Sequence, residues 1–113
     1  MNIQNHTRHV SLAHAATRAD NPIKRMVGLL NRSVLNPGEA LIIVPCQSVH
    51  MLFMKFAIDV VFIDRSNTVV GLSANLPPFA FSAVFWKSAC AIELPAGTIK
   101  QTGTQVGDKI AIQ

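Results

Sequence analysis

Hydrophobic and polar positions change their period several times along this chain, and each change marks an element. From His9 to Ala16, HVSLAHAA sets Val10 and Leu12 against Ser11 and Ala13, the two-residue repeat of a strand. The period then lengthens. Ile23, Met26, Val27 and Leu30 fall on one helical face, with Asn21 placed as N-cap, Pro22 at the first helical position, and Lys24, Arg25 and Arg32 away from that face. This predicts the principal helix. NPGE, from Asn36 to Glu39, is a turn, and ALIIV after it is a buried strand stopped by Pro45.

His50 to Met54 is strand-like without a clean repeat. AIDVVFID, RSN and TVVGLSA then form a β-hairpin, because β-branched and aromatic residues flank a polar turn. LPPF breaks the sheet at Pro77 and Pro78 and opens a loop through FSAVFW. In ACAIELP, Ala89, Ala91 and Glu93 alternate with Cys90, Ile92 and Leu94 as a further strand. Pro95-Ala96-Gly97 ends it, a short turn through Ile99 and Lys100 closes at Gly103, and Gly107-Asp108 turns into a last strand from Lys109 to Gln113. Roughly five to seven short strands and one helix predict an α+β domain of mainly antiparallel sheet, a compact small barrel or a sandwich-like sheet.

Composition narrows the class. At 113 residues, half of them apolar and 14% charged, the chain is expected to form a single globular domain over 1–113. The net charge of +4 comes from ten Lys and Arg residues that never form a run, and with no Tyr and one Trp a nucleic-acid reader is not expected. The N-terminus is polar from its second residue and the apolar runs are short, so neither a secretory signal nor a membrane span is read, and a cytoplasmic protein is expected. Two cysteines, Cys46 and Cys90, are too few for a secreted disulfide framework and are read as thiols.

Chemistry concentrates in PCQSVHMLFMKFAIDVVFID, where Cys46, His50 and Met54 fall four residues apart and Asp59 follows. Three readings compete. A thiolate, an imidazole and a thioether suit a soft copper ion, with His6, His9 or His14 as a further ligand, but some sixty residues follow Met54 and the spacing matches no zinc motif, so no metal and no cofactor are assigned. Cys46 as nucleophile, His50 as base and Asp59 or Glu93 as orienter would make a small enzyme, though no nucleophile elbow accompanies them. The third reading places Cys46, Met51, Phe53, Met54, Phe56 and Ile58 in the core. It leaves Asp59, between Ile58 and Val60, and Glu93, between Ile92 and Leu94, as acids in apolar strands that must be hydrogen-bonded, exposed or functional. Facing one cleft, they would raise each other's pKa. The expectation favoured here is a non-catalytic module that binds a small molecule or peptide in a cleft bordered by His50, Met54, Asp59 and Glu93. Two weaker features remain. Arg18, Arg25 and Arg32 are candidates for an anion, and Trp86 is either a lid over a pocket or a plug in the core.

The ordered set Thr17-Arg18, RMVGLLNR, LNPGEALIIVPC, VHMLFMKFAIDVVFID, AIELPAGT and Gly107-Asp108 resembles the domain of unknown function 192 family, also called uncharacterised protein family 0127, from about Thr17 to Ile112. The resemblance implies a small, mostly β protein, some members of the family carrying an export signal or anchor, and implies no assigned activity. The family commonly has an aromatic residue before the central methionine and Asn or Arg after it, where this chain has Phe53 and Lys55.

Overall fold

The computed structural model describes residues 1–19, 32–51 and 54–113. The helix expected from Pro22 to Arg32 lies outside them but for its last residue. Eight strands are described: β1 (Ile3–Asn5), β2 (Val10–Ala13), β3 (Ala15–Ala19), β4 (Glu39–Ile43), β5 (Ile58–Ile63), β6 (Val69–Leu76), β7 (Cys90–Pro95) and β8 (Ile110–Ile112). A five-residue helix, α1 (Thr98–Thr102), follows β7.

The strands form two sheets and no closed barrel, which settles the architecture in favour of layered sheets. The smaller sheet has the order β2-β1-β8 and is antiparallel throughout. The larger has the order β3-β4-β7-β5-β6, with β3 and β4 parallel and every other pair antiparallel. HVSLAHAA is thus two strands, because the chain leaves the small sheet at His14 and enters the large one at Ala15. The hairpin expected from AIDVVFID and TVVGLSA is β5–β6. Its turn is held by Asp64, whose Oδ1 accepts hydrogen bonds from the backbone N–H of Ser66 and Thr68 at 2.9 and 3.0 Å.

Every residue of β5 is buried, and so is every residue of β7 up to Leu94. An antiparallel sheet often wets one face, but here both faces of the central strands are covered. On one face Val61, Ile63, Ile92 and Leu94 pack against Ile3, Leu12 and Ile110 of the small sheet and Ile99 of α1. On the other, Leu41, Ile58, Val60, Phe62 and Ala91 pack under Leu35, Val49, Met51 and Met54. This second cover is irregular chain that is nonetheless stitched by backbone hydrogen bonds. Residues 46–51 run against 79–89 through Cys46 N–Ala89 O, Phe85 N–Gln47 O, Ser82 N–Val49 O and Met51 N–Ala80 O, with Val49 N bonded to Ser82 Oγ. Among the described residues, no helix is long and apolar enough to cross a membrane.

Candidate functional site

The register of β5 on β7 decides where the acids point. Asp59 pairs with Leu94 and Val60 with Glu93, and residues opposite one another share a face. Asp59 therefore faces the small sheet and α1, and Glu93 faces the irregular cover. The two carboxyls do not line one cleft. The expectation that they would came from seeing both as acids in apolar strands, and strand sequence alone does not reveal relative register.

Asp59 is 1% exposed and fully engaged. Its Oδ1 accepts the Asn75 backbone N–H at 2.7 Å, and its Oδ2 accepts those of Gly97 at 3.1 Å and Ile99 at 2.8 Å. The chain reaches α1 through Gly97 in a left-handed conformation (φ 97°), which side chains resist. One acid thus ties the end of β6 to the first turn of α1.

Glu93 sits in a row that crosses the sheet through Thr17, Leu41, Glu93, Val60 and Ser73. Only 7% of it is exposed, and its buried Oε2 has no hydrogen-bond partner among the described residues. Burial pushes its pKa up to about 7. Its immediate strand neighbours on that face, Leu41, Val60 and Ala91, offer nothing polar. The cover adds sulfur, since Met51 and Met54 are buried there and Cys46 packs at its margin. Met54, expected in the site, thus shares the face with Glu93. Met51 joins them, although the four-residue spacing that drew attention to Cys46, His50 and Met54 had left it in the core.

The Cys46 thiol is turned toward the Ser48 carbonyl at 3.1 Å. Burial raises its pKa most, the charge of Glu93 adds to the rise, and the Ser48 backbone opposes them only in part, so the net shift is upward. A nucleophilic cysteine needs the opposite shift. His50 stands on the outer surface, paired with Phe81 in an antiparallel bridge, with ring centroids 6.4 Å apart. The inner and outer sides of the same segment are therefore chemically distinct: Met51 and Met54 face inward, whereas His50 and the 68%-exposed Phe81 face solvent. No three His, Cys, Asp or Glu side chains among the described residues are grouped to hold a metal ion.

The other expected groups are scattered. Arg18 lies on β3, and Arg32 forms a two-point pair with Glu39, with Nη1–Oε2 at 3.1 Å and Nη2–Oε1 at 2.6 Å. Trp86 plugs nothing, being 77% exposed. A buried network was not anticipated: Asp108 Oδ2 accepts from Asn5 Nδ2 at 2.9 Å, Arg8 Nε at 2.7 Å and Gln105 N at 2.9 Å, welding β1 to the turn before β8. The only hint in the sequence was Asp108 in the Gly-Asp turn, because Asn5 lies at the other end of the chain.

Residues 3–112 match the family described as DUF192, Uncharacterized ACR. The chain belongs to this family. It is 36% identical to a UPF0127 protein of Pyrococcus abyssi over 114 aligned positions, spanning 96% of this chain and 94% of the relative. It is 39% identical to a UPF0127 protein of Pyrococcus furiosus over 98 positions, spanning 81% of each. A crystal structure of a protein of unknown function from Novosphingobium aromaticivorans has the same fold, with a TM-score of 0.81 and 18% identity over 98% of this chain and 82% of that one. The family membership extends across both carboxyls and the irregular cover, and the shared fold carries no function with it.

Proposed function

We propose that this member of the family is a binding module that receives a small molecule or peptide group on the Glu93 face, beneath the cover that carries Met51, Met54 and Cys46. The observation that carries this reading is the buried Oε2 of Glu93 in the central strand, which has no partner among the described residues. A carboxyl in that position costs stability, and replacing it by an apolar residue of similar volume would relieve the cost. Retention of such a group is explained when it has a partner from outside the chain. The partner required is a hydrogen-bond donor, an amide or ammonium N–H, on a body apolar enough to sit against thioether and aliphatic side chains. His50 and Phe81 would form the outer rim of the entry. Asp59 takes no part, since its oxygens are spent on backbone donors. The raised pKa of Cys46 fits a wall group better than a nucleophile.

A thermal-shift screen with primary amines, amino-acid amides and short peptides, run at about pH 6 and about pH 8, tests the reading, because a ligand of the native state raises its midpoint by mass action. A hit abolished by Glu93→Leu and weakened by Met54→Ala, with His50→Ala giving a smaller loss, supports it. Hits that survive Glu93→Leu unchanged remove Glu93 from the site and with it the proposal.

A further inference from the structure

A concavity lies away from the Glu93 face, at the end of the large sheet where β4 leaves it and the β5–β6 hairpin turns. Its volume is about 720 Å³, within the range of small-molecule sites. Val44, Pro45 and Ala89 form its floor, and Gln47, Arg65, Trp86 and Lys87 are the side chains that give it character. Its lining carries two cations and one acid. Arg65 and Lys87 have neither an ion-pair nor a hydrogen-bond partner among the described residues. The one acid on its wall, Asp64, is committed through Oδ1 to the backbone N–H groups of Ser66 and Thr68. Lys109 reaches the same turn, donating to the Ser66 carbonyl at 3.4 Å and to Thr68 Oγ1 at 2.6 Å.

The indole of Trp86 stands on this wall 77% exposed, and its backbone carbonyl is pinned by Gln47 Nε2 at 2.8 Å. The ring is thus offered to solvent from an anchored backbone. A smaller cavity of about 190 Å³ shares Val44, Asp64, Arg65 and Ala89 with the first and adds Arg18. Arg65 therefore stands between the two, with Lys87 and Trp86 on one side and Arg18 on the other. These cations, at positions 18, 65 and 87, are far apart in the sequence, which is why no basic run announces them.

We infer that this cleft binds a nucleotide, with the base against Trp86 and the phosphates between Lys87, Arg65 and Arg18. Two features select this class. Cations without a partner among the described residues, gathered at a concavity, recognise phosphate oxygens through charge-assisted hydrogen bonds. An exposed indole face held by its backbone offers a stacking surface to any base. A simple anion would use only the first feature and a neutral aromatic only the second. The contiguous Arg18 cavity favours a ligand whose phosphate chain extends beyond one group. The same nucleotidyl chemistry is supplied by a free nucleotide or by one unit of a single strand.

Trp86 is the only tryptophan in the chain, so its fluorescence reports on this site alone. The experiment titrates the full chain with ATP, AMP, adenosine, inorganic phosphate and a short oligoadenylate. The expected result is saturable quenching by ATP, tighter than by AMP and much tighter than by adenosine. Arg65→Gln and Lys87→Gln should each raise the ATP Kd about tenfold, the size expected for one lost charge-assisted phosphate contact. Both side chains are exposed, so their thermal midpoints should not move, and Lys100→Gln, the same charge change outside the cleft, should leave Kd alone. An oligoadenylate that binds more tightly than ATP assigns the site to single strands, whereas one no tighter assigns it to free nucleotide. Absence of saturable quenching by both ATP and the oligonucleotide overturns the inference. So does an ATP Kd that neither cleft substitution changes.

Discussion

Asp59 and Glu93 lie one register step apart on neighbouring strands, are both buried, and have opposite fates. Asp59 faces a layer built from regular elements, and three backbone N–H groups converge on its two oxygens. Glu93 faces a layer built from irregular chain, and one of its oxygens meets no donor among the described residues. The contrast teaches that burial of an acid in an apolar strand does not by itself mark function. The donors around it do. A carboxylate that closes a hydrogen-bond account among its own neighbours is architecture, whereas one left open is held for something else or is a standing cost.

The largest effect should come from breaking the closed side. Asp59→Ala leaves the N–H groups of Gly97, Ile99 and Asn75 without their acceptor, and should cost about 3–5 kcal/mol, seen as a fall of about 15–25 °C in the thermal midpoint. A fall of only a few degrees would mean that water replaces the carboxylate readily and that the two acids differ less than their contacts imply.

The open side should reveal itself through pH. Unfolded, Glu93 loses its proton near the ordinary carboxyl value of 4.5, while in the folded chain it holds the proton until about pH 7. The native state therefore binds more protons across that window. Its stability from this group is greatest below pH 4.5 and is lost as pH rises toward 7, by roughly 3 kcal/mol in all. Denaturant midpoints measured across this range should fall with rising pH, and Glu93→Gln should flatten that slope. In Glu93→Leu the same protein should be more stable than the parent near pH 8, an outcome that would separate a standing cost from a structural need. An unchanged slope in Glu93→Gln would assign the pH dependence elsewhere.

A smaller effect should follow from disturbing the cover without touching either acid. Gly71 on β6 lies beneath the ring of Phe85, which also packs on Phe62 with centroids 4.7 Å apart, and a Cβ at position 71 would run into that ring. Gly71→Ala should cost about 1–3 kcal/mol by displacing Phe85. It should also lower the pKa of Glu93, read by carboxyl NMR titration, because loosening the cover admits water. The hydrogen bonds of Asp59, under the other layer, should stay as they are, read by unchanged amide shifts of Gly97 and Ile99.

The smallest effect belongs to an acid near the surface. Glu39 is drawn down to a pKa of about 2, chiefly by its paired hydrogen bonds to Arg32, yet both side chains are about one-third exposed. Its contribution has the opposite sign to that of Glu93, being present above the ordinary value of 4.5 and lost as pH falls toward 2. Solvent screening should hold the cost of Glu39→Gln below about 1 kcal/mol. A larger loss would show that the turn at Asn36–Glu39, whose Asn36 N–H also bonds to Glu39, depends on the pair.

How much of this was legible in the chain follows from range. The β5–β6 hairpin was readable because its strands and turn are contiguous and its residues have the matching propensities. β7 was readable from its boundaries, although the alternation in ACAIELP pointed to a strand with one wet face and the strand is buried on both. β1 was not readable. Ile3-Gln4-Asn5 is short and polar, and it is a strand because β2 and β8 supply partners at its two edges. The suspicion attached to Asp59 and Glu93 was sound as chemistry, since each sits where an acid is expensive. Which of them is satisfied depends on donors at positions 75, 97 and 99, which only the tertiary pairing brings in. The Arg65, Trp86 and Lys87 cleft was hidden for the same reason.

The stitching of the irregular cover has a consequence for time as well as for energy. Its bonds run from residues 46–51 to 79–89 and leave the ladder of the five strands untouched, so they can break and reform while β5 and β7 stay closed. Amide exchange should accordingly release Met51, Ser82 and Phe85 together, well before Val61 or Ile92. The Glu93 carboxyl would then meet the outside world at the tempo of that seam, and the lifetime of the native sheet would not govern how quickly its proton is exchanged.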